Sequence, residues 1–318
     1  MDILILGFSN IVKRRVLPAL VDLGSVSRID IASMHGVDRA QLPATWKGDL
    51  YDDYATALKN SNARLVYISL INSLHEQWAE SALLERKHVI IDKPALLSLA
   101  ATRRLLTIAS KLDVCLAEAT VFNCHPQFDT ILGMQNDASR FTRVITAFSF
   151  PPFAPTDFRN YPELGGGALL DLGPYAAATS RLFFSDAPSN IVCRINSRHP
   201  ETNVETAFSI LADFPDGGSY AGHFGFDTEY INRLMAFGPG ISVTMDRAYT
   251  TPPDLENRID IKQANKSITT TASACDTFIR FFKYAIDCIE CHDWRSLADA
   301  MLQDAAFRDQ LLLSVCEE

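Results

Sequence analysis

No apolar run in this 318-residue sequence approaches the roughly 18 to 20 residues that a helix needs to cross a bilayer, so no membrane span is expected. Positive charge is also short: 29 lysines and arginines stand against 38 acids, for a net charge of −9. Nucleic acid and anionic membranes both call for a broad cationic surface that displaces counterions, and this balance argues against either partner. A local basic patch for a small anionic ligand remains compatible with it. Cysteine is sparse, scattered and odd in number, at 7, which fits reduced thiols packed as small apolar groups better than a disulfide framework. The opening Met1-Asp2-Ile3 lacks the cationic segment of an export signal, and a cytoplasmic protein is expected. Internal repeats and low-complexity tracts are missing too. His35, His88, His199, His223 and His292 form no grouping with metal-ligand spacing, so no catalytic metal is expected. Cys288-Ile-Glu-Cys291-His292 does match a haem-attachment pattern. It also ends an amphipathic stretch, Phe278, Phe281, Phe282, Ala285, Ile286 and Ile289, and helix packing is the better reading.

What is present is the balance of a compact protein, 47% hydrophobic and 21% charged, and the length suits two domains. The first part alternates short apolar runs with helical spacing. Ile3–Leu6, Ile29–Ser33, Leu65–Leu70, His88–Ile91 and Val114–Ala117 read as strands. Val12–Leu23, Tyr54–Lys59, Leu74–Glu85 and Leu99–Leu112 read as helices. Runs nearly continuous in Val, Ile and Leu belong to parallel strands buried on both faces, so residues 1–118 are expected to form a doubly wound, Rossmann-type α/β domain.

Beyond that point the period changes to two, as in Val144, Thr146, Phe148 and Phe150, then Phe208, Ile210, Ala212 and Phe214, then Tyr220, Gly222, Phe224 and Phe226. Such alternation marks a mostly antiparallel sheet with one packed and one open face. Residues 119–318 are therefore expected to be an α+β domain with helices near 124–135, 166–184, 274–291 and 296–315. For the last helix, packing back on the first domain is the alternative. An open face with apolar positions predicts a homodimer or homotetramer. Two proline-rich loops, Pro151–Pro162 and Thr250–Asp254, hold shape without regular hydrogen bonding and suit a substrate rim.

Strand one runs into Gly7-Phe8-Ser9-Asn10-Ile11-Val12. In a G-x-G-x-x-G turn the backbone N–H groups approach a pyrophosphate at a helix N-terminus. Only Gly7 is kept here, with Ser9 and Val12 at the second and third glycine positions. Ser9 is small enough to donate to a phosphate oxygen. Lys13, Arg14 and Arg15 put positive charge near the helix start, either for that phosphate or as a solvated face. The second strand ends in Ala32-Ser33-Met34-His35 with no acid to bind a ribose 2′-hydroxyl. NADP(H) is therefore favoured over NAD(H), with Ser33 and Arg14 as phosphate ligands.

Two further segments carry chemistry. Lys87–Pro94 is a buried strand ending in a cation followed by proline, and Gly165–Tyr175 is a glycine-led helix that places Asp171 and Tyr175 one turn apart on one face. Reduction of a ketone leaves an alkoxide that needs a proton from an acid within reach. A phenol of pKa about 10 serves when a nearby cation stabilises its phenolate. Tyr175 is the expected donor and Lys93 the expected cation.

With Tyr51-Asp-Asp-Tyr54 and Val66–His75, these segments in this order make the chain resemble the glucose-fructose oxidoreductase / inositol dehydrogenase / MocA (Gfo/Idh/MocA) family over nearly its whole length. Phe122–Gln127, Phe150–Phe153 and Asp246–Pro253 resemble more narrowly its sugar-nucleotide 3-ketoreductase branch and its dihydrodiol-dehydrogenase-like relatives. The resemblance implies an NAD(P)-dependent oxidoreductase with catalytic Lys93, Tyr175 and Asp171. It implies cofactor contacts at Gly7, Ser9, Asn10, Ile11, Arg14, Ser33, Leu70, Asn72, His75, Asp92, Lys93 and Pro94. Asn123 and His125 fall on the substrate rim with Asp171 and Tyr175. Arg159 is either a diphosphate ligand or one half of a surface ion pair. Three departures stand out: Asp92 replaces the family's usual Glu before Lys-Pro, the glycine turn is eroded, and Tyr175 stands where many members have histidine. The expected activity is reduction of a keto group on a nucleotide-linked sugar. Its rivals are a dehydrogenase of a free sugar, an inositol or a dihydrodiol, and a nucleotide-sensing protein without catalysis.

Overall fold

The computed structural model describes every residue except 137–138, 264–265 and 317–318. It separates into two units. The first contains Met1–Ala119 and Phe278–Leu302, the second Thr120–Thr277 and Gln303–Glu318.

The first unit is built on six parallel strands, β1 (Asp2–Leu6), β2 (Arg28–Ala32), β3 (Leu50–Tyr51), β4 (Leu65–Ile68), β5 (His88–Asp92) and β6 (Leu116–Ala119), in the order β3-β2-β1-β4-β5-β6. The order reverses beside β1, which puts the ends of β1 and β4 at the switch point where open α/β sheets bind ligands. Leu4, Leu6, Val66, Ile68, Val89 and Ile91 face one way, into a core shared with α2 (Tyr54–Asn60), α3 (His75–Leu84) and α4 (Leu99–Leu112). Asp53 caps α2 through Thr56 N–H, and Ser98 caps α4 through Ala101 N–H.

The expected single helix Val12–Leu23 instead opens with a wide π turn over Val12–Val16 before α1 (Leu17–Asp22). Pro18 accounts for this. It has no N–H to offer, and its ring would crowd the carbonyl of Arg14 in a regular turn.

The opposite face of the sheet is closed by late sequence. Phe282 packs edge-on against Tyr67 of β4 at 5.3 Å, Trp294 against His88 of β5 at 5.4 Å, and Phe278 lies under Arg15 at 4.9 Å. Phe278, Phe281, Phe282, Ala285, Ile286 and Ile289 are all buried. Residues 278–302 thus group with the first unit; from sequence they fell in the second domain, with a place on the first left open for the last helix.

The second unit holds a nine-stranded mixed sheet. Its strands are β7 (Arg143–Ser149), β8 (Asn190–Arg198), β9 (Glu205–Asp213), β10 (Ser219–Gly225), β11 (Ile231–Gly238), β12 (Ile241–Asp246), β13 (Asn257–Gln263), β14 (Lys266–Ala272) and β15 (Val315–Cys316). They lie in the order β14-β13-β12-β11-β7-β10-β9-β8-β15, parallel at β7/β10 and β8/β15 and antiparallel elsewhere. After α5 (Pro126–Leu132), the long α6 (Ala168–Phe183) packs across β9 and β10. Val144, Phe148, Phe208, Ile210, Tyr220 and Phe224 belong to the core on that side. The chain closes with α7 (Thr277–Glu290) and α8 (Arg295–Leu313), and the division between units falls inside α8.

The other face of this sheet is open. Across it, Met235, Ile145, Ala221, Leu211 and Val192 are successive register partners on five neighbouring strands. Four of them are large apolar residues, 37% to 51% exposed.

Candidate active site

In the first unit every residue expected to touch the cofactor lies on the first helix or at the carboxyl end of a strand. Gly7 follows β1 with φ +97°, and a Cβ there would overlap the Ser69 carbonyl and crowd Leu70. This close approach makes Gly7 the one irreplaceable glycine of the turn. Ser9 Oγ accepts the Val12 N–H at 3.2 Å and lies 2.8 Å from Ser69 Oγ. The N–H groups of Asn10 and Ile11 are given to no protein acceptor among the described residues. They are the free donors that a helix start offers to an anion. The turn therefore fits a dinucleotide pyrophosphate even with two glycines missing. Of the nearby cations, Lys13 lies over the Phe8 ring at 4.9 Å and Arg15 over Phe278, while Arg14 is exposed.

Ser33, just past β2, is buried, and its N–H donates to Tyr51 O at 2.9 Å; exposed Met34 and His35 follow. After β4 come Leu70 and the buried Asn72 and His75. The His75 ring bridges two strand ends, with Nδ1 2.9 Å from Pro94 O and Nε2 3.1 Å from Leu70 O. A neutral imidazole can donate to only one of these carbonyls, and burial pushes the pKa of His75 down. At the end of β5, Asp92 accepts from Lys93 N–H at 3.0 Å and from Ser69 Oγ at 3.2 Å. Burial raises the pKa of Asp92, against the opposing charges of Lys93 and His75. The Lys93–Pro94 bond is cis, and the buried Glu118 carboxylate accepts the next N–H, that of Ala95, at 2.8 Å.

In the second unit Tyr175 sits on α6 inside an aromatic box. Its ring centroid is 5.4 Å from Phe122, 5.0 Å from Phe148 and 5.3 Å from Tyr249. Thr179 Oγ1 donates to Tyr175 O at 2.7 Å, so at 3.1 Å it must accept from the Tyr249 hydroxyl. Burial pushes the Tyr249 phenol up to about 12, so it stays protonated beside Tyr175.

One turn earlier, Asp171 is nearly buried and lies 3.2 Å from Arg159 Nε. The contact is an ion pair, and the charges of Asp171 and Asp157 hold the pKa of Arg159 up against its burial. Arg159 also pairs with Asp157 at 3.2 Å and stacks on Phe153 at 4.7 Å and Phe158 at 4.6 Å. An ion pair is one of the two roles open to Arg159 from sequence, and here the guanidinium makes one while lying against two aromatic rings.

The glycine run explains how that loop reaches the helix. A Cβ on Gly166 would strike the carbonyls of Phe158, Arg159 and Tyr161, and one on Gly167, at φ +106°, would strike the Glu205 carboxylate. Gly167 N–H donates to Arg159 O at 2.9 Å, and Glu205 caps α6 by accepting Leu169 N–H at 3.3 Å. His125 is buried as the cap of α5, its Nδ1 accepting Gln127 N–H at 3.2 Å. Asn123 is half-buried in the preceding turn, where its Oδ1 accepts from Cys124 Sγ at 3.5 Å.

Ser69, Glu118, Glu205 and Tyr249 escaped the sequence reading. Tyr249 and Ser69 lay inside stretches that carry the family resemblance, Asp246–Pro253 and Val66–His75, but neither was singled out. No cluster of three or more metal-ligating side chains occurs among the described residues, and no helix of theirs is long and apolar enough to cross a membrane.

A doubly wound sheet with a phosphate-binding turn and an Asp-Lys-Pro strand end, in a chain that also presents a tyrosine and an aspartate on one helix, is the equipment of a nicotinamide-dependent oxidoreductase. Residues 1–120 match the model of an oxidoreductase family with an NAD-binding Rossmann fold, and residues 139–260 match the Gfo/Idh/MocA C-terminal domain. The chain belongs to the Gfo/Idh/MocA oxidoreductases. Among its relatives, the dTDP-3,4-didehydro-2,6-dideoxy-alpha-D-glucose 3-reductase of Actinomadura kijaniata is 27% identical, over 95% of this chain and 93% of that protein. The enzyme of the same name from Saccharopolyspora spinosa is 28% identical, over 81% and 78%. The crystal structure of a 3-ketoreductase from Actinomadura kijaniata, in complex with NADP and TDP-benzene, superposes with a TM-score of 0.90 at 24% identity, covering 99% of this chain and 98% of that one.

Proposed function

We propose that this oxidoreductase uses NADPH to reduce a keto group on a nucleotide-linked sugar. The observation that carries the reading is a relative named as a sugar-nucleotide 3-reductase that matches 95% of the chain, combined with the presence of Lys93, Asp171 and Tyr175. When bound, the nicotinamide supplies the hydride. Tyr175 then gives its phenolic proton to the oxygen that becomes the new hydroxyl. The box of Phe122, Phe148 and Tyr249 limits the ring to few orientations and keeps water from its faces. Lys93, at the Asp-Lys-Pro strand end, is the cation this reading assigns to the reaction. Asp171, paired with Arg159 at 3.2 Å, accepts from a sugar hydroxyl.

Preference for NADPH follows from the missing acid after β2, with Ser33 and the exposed Arg14 serving the 2′-phosphate. The apolar row on the open sheet face supports a homodimer or homotetramer as the working form, and the composition supports a cytoplasmic location. Asn123 and His125 belong to the substrate rim, His125 through the shape it gives the start of α5.

The test is turnover of nucleotide-linked keto sugars with NADPH. Tyr175→Phe and Lys93→Ala should each reduce kcat by 100-fold or more while circular dichroism stays unchanged, and near-normal rates in either refute the assignment. One observation favours a second reading. Because Arg159 already has two carboxylate partners, no free arginine for a diphosphate is evident there, which suits a dehydrogenase of a free sugar or polyol. Equal turnover of free and nucleotide-linked substrates decides for that reading. Failure of calorimetry to detect either nicotinamide cofactor returns the chain to a nucleotide-sensing role.

A further inference from the structure

Ser69 stands between two of the segments of the first unit expected to touch the cofactor, the turn at Ser9 and the strand end at Asp92. It is 3% exposed, directly after β4, with its Oγ 2.8 Å from Ser9 Oγ and 3.2 Å from Asp92 Oδ2. Ser69 Oγ is the donor to Asp92 Oδ2, so its single hydroxyl hydrogen goes to the carboxyl. Ser69 must then accept from Ser9, and Ser9 in turn accepts from Val12 N–H at 3.2 Å. The hydrogen bonds therefore run one way, from the helix start through Ser9 and Ser69 to Asp92. The same carboxylate takes Lys93 N–H at 3.0 Å. The other groups bearing on Asp92 are the charge of Lys93, the His75 ring and the buried Tyr67 hydroxyl.

We propose that Ser69 is a positioning residue that locks the phosphate turn at Ser9 to the Asp92–Lys93 strand end through one fixed order of hydrogen bonds. With its hydrogen committed to Ser69, Ser9 does not donate to a phosphate oxygen as its place in the turn suggests. It shapes the turn, and the backbone N–H groups of Asn10 and Ile11 bind the pyrophosphate. Seating of the cofactor and placement of Lys93 then depend on each other. This inference rests on reading the first unit as a dinucleotide site.

Two measurements test it. In cofactor-free protein carrying ¹³C-labelled aspartate, with the Asp92 signal assigned by Asp92→Asn, Ser69→Ala should raise the Asp92 titration midpoint by about half a unit or more, because a donor to the charged form is lost. Ser9→Ala, which does not touch Asp92, should move it the same way by less. A merely structural serine leaves the midpoint in place. By fluorescence titration of NADPH, Ser9→Ala and Ser69→Ala should each weaken binding several-fold, and the double variant no more than the weaker single one. An unmoved Asp92 midpoint in folded Ser69→Ala overturns the proposal, as do losses of affinity that multiply. If the unaltered protein binds no nicotinamide cofactor, the functional reading fails while the Asp92 titration still decides the role of Ser69.

Discussion

Replacing Arg159 by alanine separates two accounts of this side chain sharply. In the structure Asp171 is 6% exposed at its side chain and Arg159 26% exposed, so solvent screens the pair little. Removing one partner of such a pair leaves an uncompensated carboxylate, at a cost of about 3 kcal/mol or more. Stacking on Phe153 and Phe158 adds about 0.5 to 1 kcal/mol for each ring. At about 2 to 4 °C per kcal/mol for a domain of this size, the combined loss of about 4 to 5 kcal/mol means that Arg159→Ala should lower the melting temperature of the cofactor-free protein by about 8 to 20 °C. Asp171→Asn in the same chain removes the stranded charge and should recover most of that loss, which exposes the coupling directly. Differential scanning calorimetry of both variants at neutral pH reads the effect. A melting temperature within a degree or two of the parent, accompanied by a raised KM for a nucleotide-linked substrate, refutes the reasoning and makes Arg159 a ligand of the diphosphate.

Three further outcomes follow from the geometry. The Tyr67 hydroxyl is fully buried without a hydrogen-bond partner, so Tyr67→Phe should leave stability unchanged or raise it by about 1 kcal/mol; a clear loss in urea melts shows a bridging water instead. Burial holds His88 at a pKa of about 4, and its Nδ1 accepts Cys115 N–H at 3.0 Å. The unfolded chain, with an ordinary value near 6.5, takes up a proton that the folded chain refuses, so stability falls as pH drops from about 6.5 to 4, by about 3 kcal/mol in all. His88→Asn keeps an acceptor and should flatten that part of the stability profile, and an unchanged slope counts against it. Gly167→Ala, at φ +106° and facing Glu205, should cost about 1 to 3 kcal/mol; a melting temperature equal to the parent's would show that the turn relaxes freely.

The parallel strands were legible because β1, β4 and β5 are buried on both faces and read as unbroken Ile, Leu and Val. β3 was not, since two residues carry no period. β8 and β11 to β14 went unread because their outward positions alternate between polar groups such as Arg194, Asp260 and Thr269 and apolar ones such as Val192 and Met235, which blurs the two-residue pattern. The apolar stripe of α7 shows that this helix packs, but nothing local says against which sheet. At the site, Gly7, Lys93 and Tyr175 announced themselves by type and spacing. Ser69 did not, because a serine beside a strand has no signature until the fold brings Ser9 and Asp92 to it. For Arg159 an ion pair was one of two readings, but its partners Asp157 and Asp171 were hidden, resting on a glycine run that admits the carbonyls of a neighbouring loop.

The return of residues 278–302 to the first unit bears on how the polypeptide matures at the ribosome. When Ala119 has emerged, all six parallel strands exist, yet Tyr67, His88 and Arg15 still lack Phe282, Trp294 and Phe278. The nascent dinucleotide unit must wait, one side greasy and bare, while eight of the nine strands of the second sheet, β7 to β14, are synthesised, an exposure of the kind that chaperones cover.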